Sequence, residues 1–125
     1  MNKADKAVEL KHSGYNCCQA VTVALADETA ISEEVLSQIA SGFCAGMGNG
    51  KATCGALIGA NMIAGLKCEG KGTLLNARKI SEAFEAKSKA LVCRDLKKII
   101  DGKPLCPCDD CVRNAVEAYL EVMGQ

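Results

Sequence analysis

The sequence predicts an all-α fold, a single compact bundle of about six helices that takes in residues 1–125 as one domain. Three observations carry that expectation. Apolar side chains recur at three- and four-residue spacing in segment after segment, no run alternates apolar and polar residues as a strand does, and 125 residues suit one hydrophobic core.

The elements follow in order. Lys3 to His12 reads as a short amphipathic helix ended by Gly14, and a second helix runs from Tyr15 to Asp27. The stripe of that second helix, Cys17, Ala20, Val21, Ala24 and Leu25, puts Cys17 on the buried side and Cys18 on its flank. The third starts with Ser32 as N-cap, has Glu33 and Glu34 in its positive first turn, and lets Ile31 staple onto Leu36. It continues through Ile39 and Ala40 to Phe43.

After the glycine-rich loop Gly46–Lys51, Thr53 is the expected N-cap of a fourth helix running from Cys54 to Lys67. Gly55, Ala56, Gly59 and Ala60 lay a strip of small residues along it. Glycine inside a helix is unfavourable by roughly 1 kcal/mol against alanine, so the strip predicts close approach of another backbone. Cys68–Gly72 is a turn. Thr73 opens a long helical region with Ile80, Phe84, Leu91, Cys93 and Leu96 in phase, with a break expected near Ser88 and a stop at Asp101-Gly102-Lys103-Pro104. The loop Cys106-Pro107-Cys108-Asp109-Asp110-Cys111 then leads into a last helix with Val112, Ala115, Val116 and Tyr119 on one face.

Composition narrows the chemistry. Fifteen Lys and Arg balance fifteen Asp and Glu, and only two Phe, two Tyr and no Trp are present. Such a chain lacks the basic footprint and the stacking surfaces of a nucleic-acid binder. The charged start, Met1 to Lys6, is not followed by an apolar run, and the apolar stretch Ala52–Leu66 is too short to span a bilayer, so a soluble cytoplasmic protein is expected. Gly50-Lys51 is no phosphate-binding loop: Ala45 and Ala52 occupy the positions of its first Gly and its Ser or Thr. His12, the one histidine, sits at a polar helix end and reads as a surface residue rather than the base of a Cys–His pair.

Nine cysteines are the outlying feature. Their odd number and the absence of an export signal point away from a disulfide framework and toward redox chemistry or metal binding. At the start of a helix Cys54 would feel unpaired N–H groups and the positive end of the macrodipole, which favour a thiolate. Cys108-Asp109-Asp110-Cys111 is a C-x-x-C ahead of a helix, a spacing used by redox pairs and by metal ligands alike.

With these residues in place the sequence resembles a known family. Gly14-Tyr15-Asn16-Cys17, Ser41-Gly42-Phe43, Gly46-Met47-Gly48, Thr53-Cys54-Gly55-Ala56-Leu57-Ile58-Gly59, Cys93-Arg94-Asp95-Leu96 and Cys108 with Val112-Arg113 are similar to the C_GCAxxG_C_C family of redox-active proteins. The resemblance implies Cys17, Cys54, Cys93 and Cys108 as the four characteristic cysteines. Cys106 or Cys111 fits the fourth place as well, and Cys18, Cys44, Cys68, Cys106 and Cys111 are otherwise extras. Thr53 and Gly55 depart from the Gly and Ala of the family motif without disturbing its cysteine.

Two functions stay open at this point. One is thiol–disulfide or electron-transfer chemistry, with Cys54 as nucleophile and Cys17, Cys93 or Cys108 as its resolving partner. The other makes the same four thiolates ligands of zinc or an iron–sulfur cluster. The expected partner is a redox protein or a small thiol, with neither nucleic acid nor membrane involved, and homo-oligomerisation is compatible with the sequence. Neither function by itself makes the protein an enzyme.

Overall fold

The structure, a computed structural model, describes residues 2–124 and is all-helical apart from one two-residue ladder. Among the described residues seven α-helices follow in order: α1 (Lys3–His12), α2 (Cys17–Ala24), α3 (Glu33–Ala40), α4 (Gly55–Lys67), α5 (Thr73–Ser88), α6 (Cys93–Leu96) and α7 (Cys108–Met123). Between α6 and α7 the strands β1 (Ile99–Ile100) and β2 (Lys103–Pro104) pair antiparallel.

Helix α2 is central and packs on α1, α3, α4 and α7, while α5 closes the far side against α4 and α7. The core is aliphatic and alanine-rich, as the shortage of aromatics requires. Val21, Leu36, Leu57, Ile63, Ile80, Phe84, Val112 and Tyr119 are fully buried, and Ala20, Ala56, Ala60 and Ala115 let the helix backbones come close. The Tyr119 hydroxyl donates to Glu28 at 3.2 Å, and Glu28 also pairs with Lys3 at 2.8 Å.

Several elements differ from the sequence expectation, each for a local reason. Helix α2 stops at Ala24 and hands over to a 3-10 turn at Ala26–Glu28, and α3 stops at Ala40, which leaves Ile39 half exposed. Cys18, not Cys17, is the fully buried neighbour, because its backbone and sulfur press against Gly59 of α4. The region after Thr73 breaks at Ser88, as expected, where Lys89 with a φ of 77° caps α5. Asp101-Gly102 is a two-residue hairpin turn, with φ of 54° and 83°, rather than a plain helix stop. Ser32 caps α3 as expected, its hydroxyl accepting from the Val35 N–H at 3.2 Å.

Candidate functional site

Local structure places four cysteines at helix starts. Asn16 and Gln19 form a reciprocal capping box, with the Gln19 N–H on Asn16 Oδ1 at 2.9 Å and the Asn16 N–H on Gln19 Oε1 at 3.0 Å. This fixes Cys17 as the first residue of α2. The segments before α4 and α6 are tied by an antiparallel bridge between Thr53 and Val92, in which the Cys54 N–H reaches Leu91 O at 2.8 Å and the Cys93 N–H reaches Ala52 O at 2.9 Å. Cys54 and Cys93 therefore leave one bridge as the starts of α4 and α6. The hairpin then folds the chain back, and the Cys106 N–H bonds Leu96 O at 2.8 Å. That return sets Cys108 at the start of α7 and Cys111 one turn inside it.

The four expected cysteines, Cys17, Cys54, Cys93 and Cys108, come together around one small cleft with Cys111, Leu96 and Lys97. Its volume is about 20 Å³, room for about one water molecule. Cys54 is 5% exposed, Cys93 and Cys111 4% each, and Cys17 and Cys108 are half-buried. Cys44, Cys68, Cys18 and Cys106 do not line the cleft. Cys68 ends α4 at its opposite pole, where Asn76 Nδ2 donates to its sulfur at 3.3 Å.

Two glycines make the convergence sterically possible. A Cβ on Gly55 would stand 2.4 Å from Phe43 O and 2.8 Å from Cys17 Sγ, and one on Gly46 would stand 2.8 Å from Cys93 Cβ. The glycine-rich loop thus packs on Cys93, and Gly55 admits Cys17 to the start of α4.

Cys54 itself, not Thr53, is the N-cap of α4, and Thr53 is occupied by the bridge to Val92. The thiol of Cys54 stands apart electrostatically. The neighbouring Cys111 thiol favours its charge, which more than offsets the opposing effect of burial. The N–H groups of Ala56 and Leu57 in the first turn of α4 favour the same charge and the Lys97 ammonium adds to it, so its pKa falls from 9.0 to about 7. The neighbouring Cys54 sulfur, with burial and Cys106, holds Cys111 protonated far above the ordinary thiol range. Burial raises Cys17 and Cys93, and pushes Cys18 up to about 12. Burial disfavours charge on Lys97, but the facing sulfurs of Cys108, Cys93 and Cys17 outweigh it and keep the ammonium above its usual range.

Sequence reasoning passed over Lys97 in this cleft and held Cys111 as an alternative for the fourth family cysteine. Lys97 lies four residues after Cys93, one helical turn away, which is a readable signal. Cys111 was visible in the C-x-x-C but is an extra by the family pattern. His12 is a surface residue, as read, and its ring pairs with Asp109 at 2.6 Å across the α1–α7 seam.

No group of three or more His, Cys, Asp or Glu side chains among the described residues is arranged to hold a metal ion. The local chemistry agrees: Cys54 and Cys111 engage each other, and Lys97 brings a cation to the cleft the four thiolates would have to share. The donor geometry does not favour the zinc or iron–sulfur expectation.

Thiols gathered on helix starts, one of them disposed to ionise near neutrality, mark a helical, cysteine-based redox protein. The chain belongs to the C_GCAxxG_C_C family, described as "Putative redox-active protein (C_GCAxxG_C_C)", which matches residues 15–122. No curated protein and no solved structure matches it. No helix among the described residues is long and apolar enough to cross a membrane.

Proposed function

We propose that residues 1–125 act as one helical domain that cycles between a dithiol and a disulfide at the cleft, with Cys54 as the attacking thiolate. In the forward half, Cys54 attacks the disulfide of a partner protein or a small thiol, a second cleft thiol then attacks the Cys54 sulfur, and the two cleft thiols join through a sulfur–sulfur bond while the partner leaves as two thiols. In the return half, a partner dithiol or two molecules of a small thiol take the place of that bond by exchange and leave as a disulfide. Cys17, Cys93 and Cys108 surround the nucleophile, and Lys97 supports its charge. The single observation that carries this reading is the N-cap position of Cys54 at the start of α4, inside the cleft it shares with four other cysteines and Lys97. A dithiol that must be regenerated after each cycle suits a reducing, cytoplasmic setting.

Mass-mapped alkylation of the reduced, metal-free chain tests the reading. Cys54 should gain reactivity toward iodoacetamide around pH 7, below the pH at which Cys17 and Cys93 do so. Labelling of Cys54 after Cys17 and Cys93, under conditions where those cleft neighbours are reached, would make it a packed structural thiol and end the proposal.

A further inference from the structure

A groove of about 510 Å³ lies beside the cysteine cleft and shares none of its lining residues. The bridge segments supply Thr53 and Leu91 to it, α4 supplies Leu57, Ile58 and Asn61, and α5 supplies Ser81. Its few polar groups have no partners. The Asn61 side-chain carbonyl is buried and accepts no hydrogen bond, and the Ser81 hydroxyl makes none with any described residue. A buried carbonyl left unpaired is unfavourable, which points to a donor from outside the chain.

Thr53 brings main-chain groups to the same groove. The bridge bonds run from Cys54 N–H to Leu91 O and from Cys93 N–H to Ala52 O, so Thr53 and Val92 face each other as a non-hydrogen-bonded pair. The N–H and C=O of Thr53 therefore point away from Val92, and no group among the described residues takes either. They make a short open edge, which the main chain of an extended segment satisfies. Charge narrows the choice of segment. Lys51, Lys89 and Arg94 stand within three residues of the bridge, are exposed and form no ion pair among the described residues. A Cβ on Gly50 would lie 3.5 Å from Arg94 Cβ, so the Lys51 loop and Arg94 are side by side.

We propose that the groove and the Thr53 edge bind an extended, acidic segment of a partner protein and present its disulfide sulfur to Cys54. This rests on Cys54 being the attacking thiolate. A segment residue opposite Thr53 exchanges both main-chain hydrogen bonds with it, and ladder alternation makes the next pair, at Cys54, non-hydrogen-bonded. Cα atoms in such a pair are about 4.5 Å apart, within the roughly 4.4–6.8 Å that a disulfide spans. Cys54 has the extended backbone this pairing needs, with φ of −52° and ψ of 131°. Further along the groove a main-chain N–H of the segment donates to Asn61 Oδ1. The Cys54 thiolate attacks the partner sulfur, the partner's S–S bond breaks, and the departing sulfur takes a proton from solvent. A mixed disulfide then holds the segment until a second cleft thiol attacks Cys54 and releases it as a thiol.

The test uses the reduced chain and a short peptide of valine and glutamate around one cysteine, held as a mixed disulfide with thionitrobenzoate. Release of thionitrobenzoate is timed against that from N-acetylcysteine amide carrying the same group, and the part lost in Cys54→Ser is counted. The Cys54-dependent rate should be at least about tenfold higher with the peptide at equal concentration. N-methylation of the peptide main chain beside its cysteine should remove that gain, and lysine in place of glutamate should slow release by about threefold or more. Asn61→Leu should lower the ratio of peptide rate to small-disulfide rate by about threefold or more. It should also raise the urea midpoint, because it removes a buried unpaired carbonyl. The parent comparisons stand whether or not that variant folds. Equal rates with both disulfides, or a gain that survives N-methylation, would assign the groove to a small molecule or a second copy and overturn the proposal, leaving Cys54 as nucleophile. Release that is the same in Cys54→Ser with both reagents would overturn this inference and the function it rests on.

Discussion

Replacing Gly55 with alanine should destabilise the protein, whereas the same change at Gly65, ten residues along α4, should not. The added methyl at position 55 would lie 2.4 Å from Phe43 O, 2.8 Å from Cys17 Sγ and 3.0 Å from Cys44 Cα. Two of those atoms are backbone, so the loop after α3 must move, and overpacking of this kind is unfavourable by roughly 1–3 kcal/mol. At Gly65 the nearest atom is Thr73 Cγ2 at 3.8 Å, an ordinary contact. There the removal of glycine from a helix interior should stabilise by roughly 0.5–1 kcal/mol. The two variants should therefore separate by about 2 kcal/mol or more in urea unfolding, read as a difference in midpoint at unchanged slope. A Gly55→Ala variant as stable as Gly65→Ala would refute the close approach of Cys17 to the start of α4, and with it the geometry of the cleft.

Other expectations follow from the same contacts. Gly59→Leu, facing Cys18 O at 3.0 Å and Val21 Cβ at 3.3 Å, should lose roughly 1–3 kcal/mol or more, and a melt like the parent's would contradict the packing. Cys44→Ser and Cys68→Ser should leave the thiol–disulfide behaviour of the cleft near the parent's; loss of it in either would relocate the site. Thr53→Ala should leave the pH dependence of Cys54 unchanged, because Thr53 serves the bridge and not the cap, and a rise in the Cys54 pKa would contradict that. Stability should also follow pH with a definite sign. The depressed pKa of Cys54 gives stability that is present above the unfolded value of 9.0 and lost as pH falls through about 7. The raised thiols Cys17, Cys18 and Cys93 act oppositely, losing stability as pH rises beyond 9.0, so urea midpoints measured from pH 6 to pH 10 should pass through a maximum near the middle of that range. A monotonic fall from pH 7 upward would remove the contribution of Cys54.

The helices were legible because their signals are local. Ser32 ahead of Glu33 and Glu34 announces α3, and the small strip from Gly55 to Ala60 announces contact with α2. Convergence of the cysteines was less legible, since it depends on pairings between distant segments. Thr53 finds Val92 through an isolated bridge, and nothing in either short sequence marks the other. That bridge also accounts for the misplaced cap: a threonine one residue before a helix looks like an N-cap until its backbone is drawn into a ladder. Asp101-Gly102 carried the strongest short hairpin signal in the chain, but its flanking strands are only two residues each and do not alternate. Cys111 was hidden for another reason. Helical spacing put it one turn inside α7, and only packing of α7 on α4 turns that position toward Cys54.

The central claim is that Cys54 is the thiolate of the cleft, and direct titration of its ionisation tests it. Carbon-13 label at the Cys54 β-carbon, followed by NMR against pH in the reduced chain, reports that one sulfur, and Cys54→Ser identifies its resonance. A thiol with a pKa of about 7 is about half ionised at neutral pH, against about one part in a hundred for one at 9.0. The chemical shift should therefore reach its midpoint around pH 7, and the midpoint should move upward in Cys111→Ala, which removes the neighbouring thiol that favours the thiolate. A midpoint at or above 9.0 in the parent chain would contradict the account.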